Sequence, residues 1–343
     1  MNCAQFRHSV VKMKGRDLYL LSAKKRIDTQ IVIHLTSRRR AFEMNQEFLY
    51  IIMIIALGYF LKRLNILQEK DGEVIAKIIF KITLPALVIV TFDSVKIETS
   101  LILLPVIVLI YGLIMTVIGL LIFKNEEREL KGSFLMLSGF NVGLFAFPLV
   151  FAMWGIDGLT YFSMFDVGTS FVVFGIAYIS GSYFSEEGLS LKPIEILKRL
   201  SKSIPLMTYI IASVLNFCHI QLPDMIIHVA STLSGANMPL SLLLLGLYLN
   251  FKFEKQFIKP ILKFLTFRYG LGLLFGLSLY FILPYDQMFR YTILIGMLLP
   301  VASSALTFAV EFKYTTTRLI ATISNITILI SIVILYIFSN FIL

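Results

Sequence analysis

Apolar blocks, most of about twenty residues, recur along almost the whole chain from residue 48, and several of them contain proline. A stretch of about twenty apolar residues is what a helix needs to cross the hydrocarbon core of a bilayer. In that solvent every backbone N–H and C=O must be satisfied internally, which leaves only helices and closed barrels. The composition follows: the chain is 57% hydrophobic and only 15% charged, against about 50% and 25% in a soluble domain, and its mean hydropathy is +0.84. These features predict an all-α, multi-pass membrane protein.

Ten membrane segments are expected: Phe48–Leu61, Val74–Phe92, Leu101–Phe123, Phe134–Met153, Leu159–Tyr183, Ile204–Leu222, Ile226–Asn250, Ile258–Leu283, Tyr291–Phe312 and Leu319–Phe341. The first is short and must borrow from its flanks. Residues 1–47 differ from the rest, with ten Lys/Arg and no apolar core of a signal peptide. This basic tail is expected to be disordered or outside the working protein, with Met44 a natural start.

Basic residues set the expected orientation. Lys62, Arg63 and Lys70 lie in the first loop, Lys124, Arg128 and Lys131 in the third, and Lys192, Lys198, Arg199 and Lys202 in the fifth. Lys252, Lys255 and Lys259 lie in the seventh, and Lys313 and Arg318 in the ninth, whereas the alternate loops hold only Lys96 and Arg290. Odd loops are therefore expected in the cytoplasm and both termini outside, an assignment with which the basic tail conflicts.

The segments also repeat. Pro85 and Pro239 are 154 positions apart, Pro148 and Pro300 are 152 apart, and the first and sixth segments start 156 apart. Five segments per half is an odd number, so the halves 48–183 and 204–343, joined by the linker 184–203, are expected to be inverted repeats, a signature of secondary transporters. Segments four and nine would then be proline-broken helices crossing near the membrane middle.

The net charge of +10 does not point to nucleic acid, because the charges sit in short loops and the tail. Cys3 and Cys218 are too few for a disulfide framework, and His8, His34, His219 and His228 lack metal-ligand spacing. No phosphate-binding loop or HExxH motif is present, so neither an enzyme nor a cofactor is expected.

The candidate site residues are Asn141, Pro148, Pro300, Ser303 and Ser304. A proline-broken helix presents free amides with partial positive charge, which suit a carboxylate. Asn141 adds an amide, and the two serines add hydroxyls. The alternative is that the prolines only kink helices and the serines bond their own backbone. Asp166 is the only acid deep inside a segment and a candidate for coupling to a proton or a sodium ion. Its structural alternative is a carboxylate capped by Thr169 or Ser170. Lys77, Lys81, Lys263 and Arg268 are expected to snorkel to the headgroups. Gly272 and Gly276 suggest close helix packing.

These residues resemble the auxin efflux carrier family, which includes bacterial malate permeases and plant auxin exporters. FLYIIMIIALGYFLKRLNILQEKDGEVIAKIIFKITLPALVI resembles the family's first two helices. NVGLFAFPLV is similar to its Asn-x-Gly-Phe-x-Gly-x-Pro crossover, departing at Leu144, Phe145 and Ala146. DVGT at Asp166–Thr169 resembles the Asp-x-Gly-Asn of helix five, and LPVASSALTFAVEFKY the ninth-helix crossover. The resemblance implies a scaffold of helices one, two, six and seven and a transport part of the remainder. It also implies substrate at crossed broken helices, elevator-type movement and a homodimer through the scaffold. The expected function is secondary transport of a small organic anion across the cell membrane. Alternatives are a sodium-coupled symporter of the bile-acid-transporter type, which shares this architecture, and a channel-like or receptor-like relative.

Overall fold

The computed structural model describes residues 46, 48–94, 98–185, 193–250 and 255–341. The expectations for residues 1–43, and the loop positions Lys96, Lys192 and Lys252, lie outside the described residues. Within them every regular element is a helix, and the β-type pairing is a single antiparallel bridge. Helix α1 covers 48–63, α2 Glu69–Ser94, α3 Thr99–Ile122, α4 Arg128–Met136, α5 Val142–Phe184 and α6 Pro193–Lys202. Helix α7 covers Ile204–Phe217, α8 Asp224–Tyr248, α9 Ile258–Ile282, α10 Gln287–Gly296, α11 Ser304–Glu311 and α12 Thr317–Phe341. Six of these, α2, α3, α5, α8, α9 and α12, are long and apolar enough to cross a membrane.

Local chemistry places several helix starts. Asp286 Oδ1 accepts from the Phe289 amide at 3.0 Å to open α10, and Ser203 Oγ accepts from the Leu206 amide at 3.4 Å ahead of Pro205 in α7. Helix α5 has 43 residues, roughly twice what a bilayer core requires. Gly155 interrupts it with φ 60° and ψ −144°, a conformation that glycine adopts without a Cβ penalty. Helices α1 and α8 touch backbone to backbone. A Cβ added to Gly58 would lie 2.2 Å from the Leu243 carbonyl oxygen, and one on Gly246 would lie 1.9 Å from that of Ile55. Small residues allow such close approach where lipid supplies no hydrophobic force between helices. Gly272 and Gly276 do the same for α9 against Met297 and Leu294.

The expected fourth segment is α4 plus the first part of α5, and the ninth is α10 plus α11, each with a non-helical break. The first break is not at Pro148. It spans residues 137–141, and Pro148 lies in an α5 helix that has already begun at Val142. A wide π turn, Val142–Ala146, precedes this proline, and another, Ile79–Thr83, precedes Pro85. Such a turn accommodates the donor that proline lacks, so the helix continues through it. Pro300 does lie in the second break. All residues from 132 to 150 and from 291 to 302 are buried, so both breaks are inside protein rather than against lipid, as unpaired backbone requires.

Two of the many contacts between 48–183 and 204–343 bear on the repeat spacing and the crossing. Thr83 and Asn237, 154 positions apart like Pro85 and Pro239, share a hydrogen bond of 3.0 Å from Thr83 Oγ1 to Asn237 Oδ1. At the breaks, Phe140 pairs with Val301, 161 positions away. The Asn141 amide donates to the Pro300 carbonyl at 2.9 Å and the Ala302 amide to the Gly139 carbonyl at 3.2 Å. Pro148 takes no part in this pairing, in which Pro300 faces Asn141 and Ala302 faces Gly139.

Candidate functional site

The two broken segments cross at this bridge, and their backbone groups are satisfied from three directions. Beyond the two amide–carbonyl bonds, the Val301 amide donates to Thr327 Oγ1 at 3.3 Å and Ser331 Oγ donates to the Leu298 carbonyl at 2.8 Å, both from α12. Arg268 of α9 binds three carbonyls of the breaks: its Nη1 donates to Leu137 at 2.8 Å and its Nη2 donates to Gly139 at 3.1 Å and Leu299 at 3.0 Å. Arg268 is 0% exposed, so the expectation that it snorkels is wrong. It lies on the buried stripe of α9 with Ile261, Phe264 and Gly272, one and two turns away. Lys263, expected to behave likewise, pairs with Glu126 at the protein surface.

Beside the crossing lies a cavity of about 720 Å³. Asn141, Asp166, Thr169, Ser303, Ser304 and Thr307 supply polar wall, and Phe140, Phe174 and Phe308 supply apolar wall. Asn141 Nδ2 donates to Ser303 Oγ at 2.8 Å, joining the two breaks by side chains as well as backbone. Helices α5 and α11 both begin here, at Val142 and Ser304, so their positive dipole ends lie at the crossing, although in α11 the Ala305 and Leu306 amides bond the Ala302 and Ser303 carbonyls. Pro148 and Pro300 are not part of the cavity wall: Pro148 is buried in α5, and Pro300 contributes its carbonyl to the bridge.

Asp166 is 7% exposed and stands against the start of α5, where a Cβ on Gly143 would lie 3.9 Å from its Oδ2. Neither Thr169 nor Ser170 caps it in the way the structural alternative requires. The Tyr209 hydroxyl of α7 donates to Asp166 Oδ2 at 2.6 Å, and Thr169 Oγ1 has no hydrogen-bond partner. Lys81, Lys198 and Lys202 lie on the cavity's outer wall, the last two from α6. The sequence reading missed Tyr209, Arg268 and Thr327. Tyr209 and Thr327 carried no signal beyond being polar in apolar segments, whereas Arg268 was visible as a charge ten residues inside α9.

A crossing of two buried helix breaks, lined by an amide, hydroxyls and one carboxylate, defines a multi-pass helical protein with a polar cavity set among apolar segments. The chain belongs to the membrane transport protein family, whose family model matches residues 45–339, the family of auxin-efflux-carrier type to which the motifs point. It is 29% identical over 213 residues to an uncharacterized transporter of Methanocaldococcus jannaschii, covering 59% of this chain and 68% of that one. It is 25% identical over 217 residues to an uncharacterized transporter of Methanothermobacter thermautotrophicus, covering 62% and 70% respectively.

Proposed function

We propose that the chain is a secondary transporter of small organic anions, with the anion bound where the two broken segments cross. The observation that carries this reading is the cavity beside the Asn141–Ser303 bond, into which two helix starts and several hydroxyls converge. Helix N-termini favour negative charge without a fixed cation at the ligand. The lysines on the outer wall, Lys81, Lys198 and Lys202, favour entry of anions. Asp166 is the coupling residue, taking up a proton or neutralising a sodium ion beside the substrate. The Thr83–Asn237 bond, which joins positions with the Pro85–Pro239 spacing, supports ten helices in two inverted five-helix repeats. Alternating access is of the elevator type, in a cell-membrane homodimer packed through segments 1, 2, 6 and 7, with both termini outside.

The test begins with a panel of carboxylates, malate among them, ranked by thermal stabilisation of the detergent-purified protein. The best ligand is then titrated calorimetrically into wild type and Asn141→Ala. Losing a buried hydrogen-bonding group costs about 1–3 kcal/mol, so affinity should fall roughly 5- to 150-fold. Wild-type affinity in the variant would remove Asn141 from the site.

A further inference from the structure

We propose that Arg268 is the positioning residue of the crossover, fixing through three carbonyls the register in which Asn141 is presented to the cavity. The importance of that register for transport rests on the function proposed above. The three acceptors, Leu137, Gly139 and Leu299, all lie within four residues of Asn141 or Ser303, and they come from both broken segments. Nη2 alone bonds one carbonyl from each segment, so the guanidinium bridges the two chains directly. Leu137 is the C-cap of α4, whereas Leu299 lies three residues past the end of α10, inside the second break. Carbonyls at helix C-termini carry partial negative charge and have no intrahelical donor.

The guanidinium lacks a counter-ion among the described residues: no acidic side chain of theirs lies in ion-pair range of it, and its Nε has no hydrogen-bond partner. Burying such a charge is costly, and the carbonyl dipoles of both breaks offset that cost only while the crossing keeps its geometry. Arg268 lies over the Phe140 ring at 4.9 Å, and Phe140 is part of the cavity wall. It therefore acts on the site through Phe140 and the backbone, without contacting the solute. A lysine keeps the charge but not the planar fork that reaches three carbonyls at once.

Hydrogen exchange on the full chain in detergent tests this assignment. In Arg268→Lys and Arg268→Gln, peptides covering residues 137–142 and 299–304 should exchange on the order of 10- to 100-fold faster, while peptides from α2 and α8 keep wild-type rates. Unchanged exchange at the crossover overturns the proposal, as does an acceleration spread evenly over all helices. If neither variant folds, wild type decides: the Asn141 and Ala302 amides must exchange as slowly as those of α9, and loop-like rates overturn the role. Local acceleration in a protein whose wild type binds no carboxylate would uphold the positioning role and sink the proposed substrate.

Discussion

Asp166 and Tyr209 form a buried pair joined by one short hydrogen bond that links α5 to α7. Asp166→Asn keeps the shape and an oxygen to accept from Tyr209 but cannot ionise. The expected outcome is near-wild-type carboxylate affinity in detergent with loss of acceleration by an imposed proton or sodium gradient in liposomes. Full gradient response in the variant would make Asp166 structural. At this scale the sequence was informative where the residue type was out of place: an acid and an asparagine in apolar segments both prove to be on the cavity wall. It misled for Arg268, because a cation ten residues from the basic end of a helix has a stem long enough to reach headgroups. Sequence alone does not say which face of α9 is buried.

The elements show why the two breaks were only half legible. Pro300 marks the second break, but the first, at 137–141, reads LSGFN and holds no proline. Pro148 drew attention because proline usually ends a helix, yet the preceding π turn absorbs it. Helix packing is argued at the same scale. Gly246→Val would force a Cβ into the Ile55 carbonyl, whereas a Cβ on Gly270 meets nothing within 4 Å. Overpacking of this kind typically costs about 1–3 kcal/mol. Gly246→Val should therefore lower the melting temperature of the detergent-purified protein, and Gly270→Ala should not. Equal melting of Gly246→Val and wild type would mean that α1 and α8 do not pack as described.

For the whole molecule, the all-helical class and the presence of several helices long and apolar enough to cross a membrane followed from hydropathy, because length in hydrocarbon is set by bilayer thickness. Residues 154 positions apart meet where Thr83 bonds Asn237, between α2 and α8, and at the crossover Phe140 pairs with Val301. Orientation is tested in a background lacking Cys3 and Cys218. Single cysteines at Glu127 and Lys313 should be shielded from an impermeant thiol reagent in right-side-out vesicles, and one at Asp286 should be labelled. The reverse pattern would overturn the charge argument.

Counterflow in proteoliposomes tests the central claim most directly. Vesicles are loaded with a high concentration of the carboxylate that best stabilises the protein, and the same compound is added outside as a labelled trace. A carrier with one site alternately exposed to the two sides should accumulate label transiently above its equilibrium level, faster than into empty vesicles. Uptake that is indifferent to the internal solute and never overshoots would contradict a carrier and favour a channel.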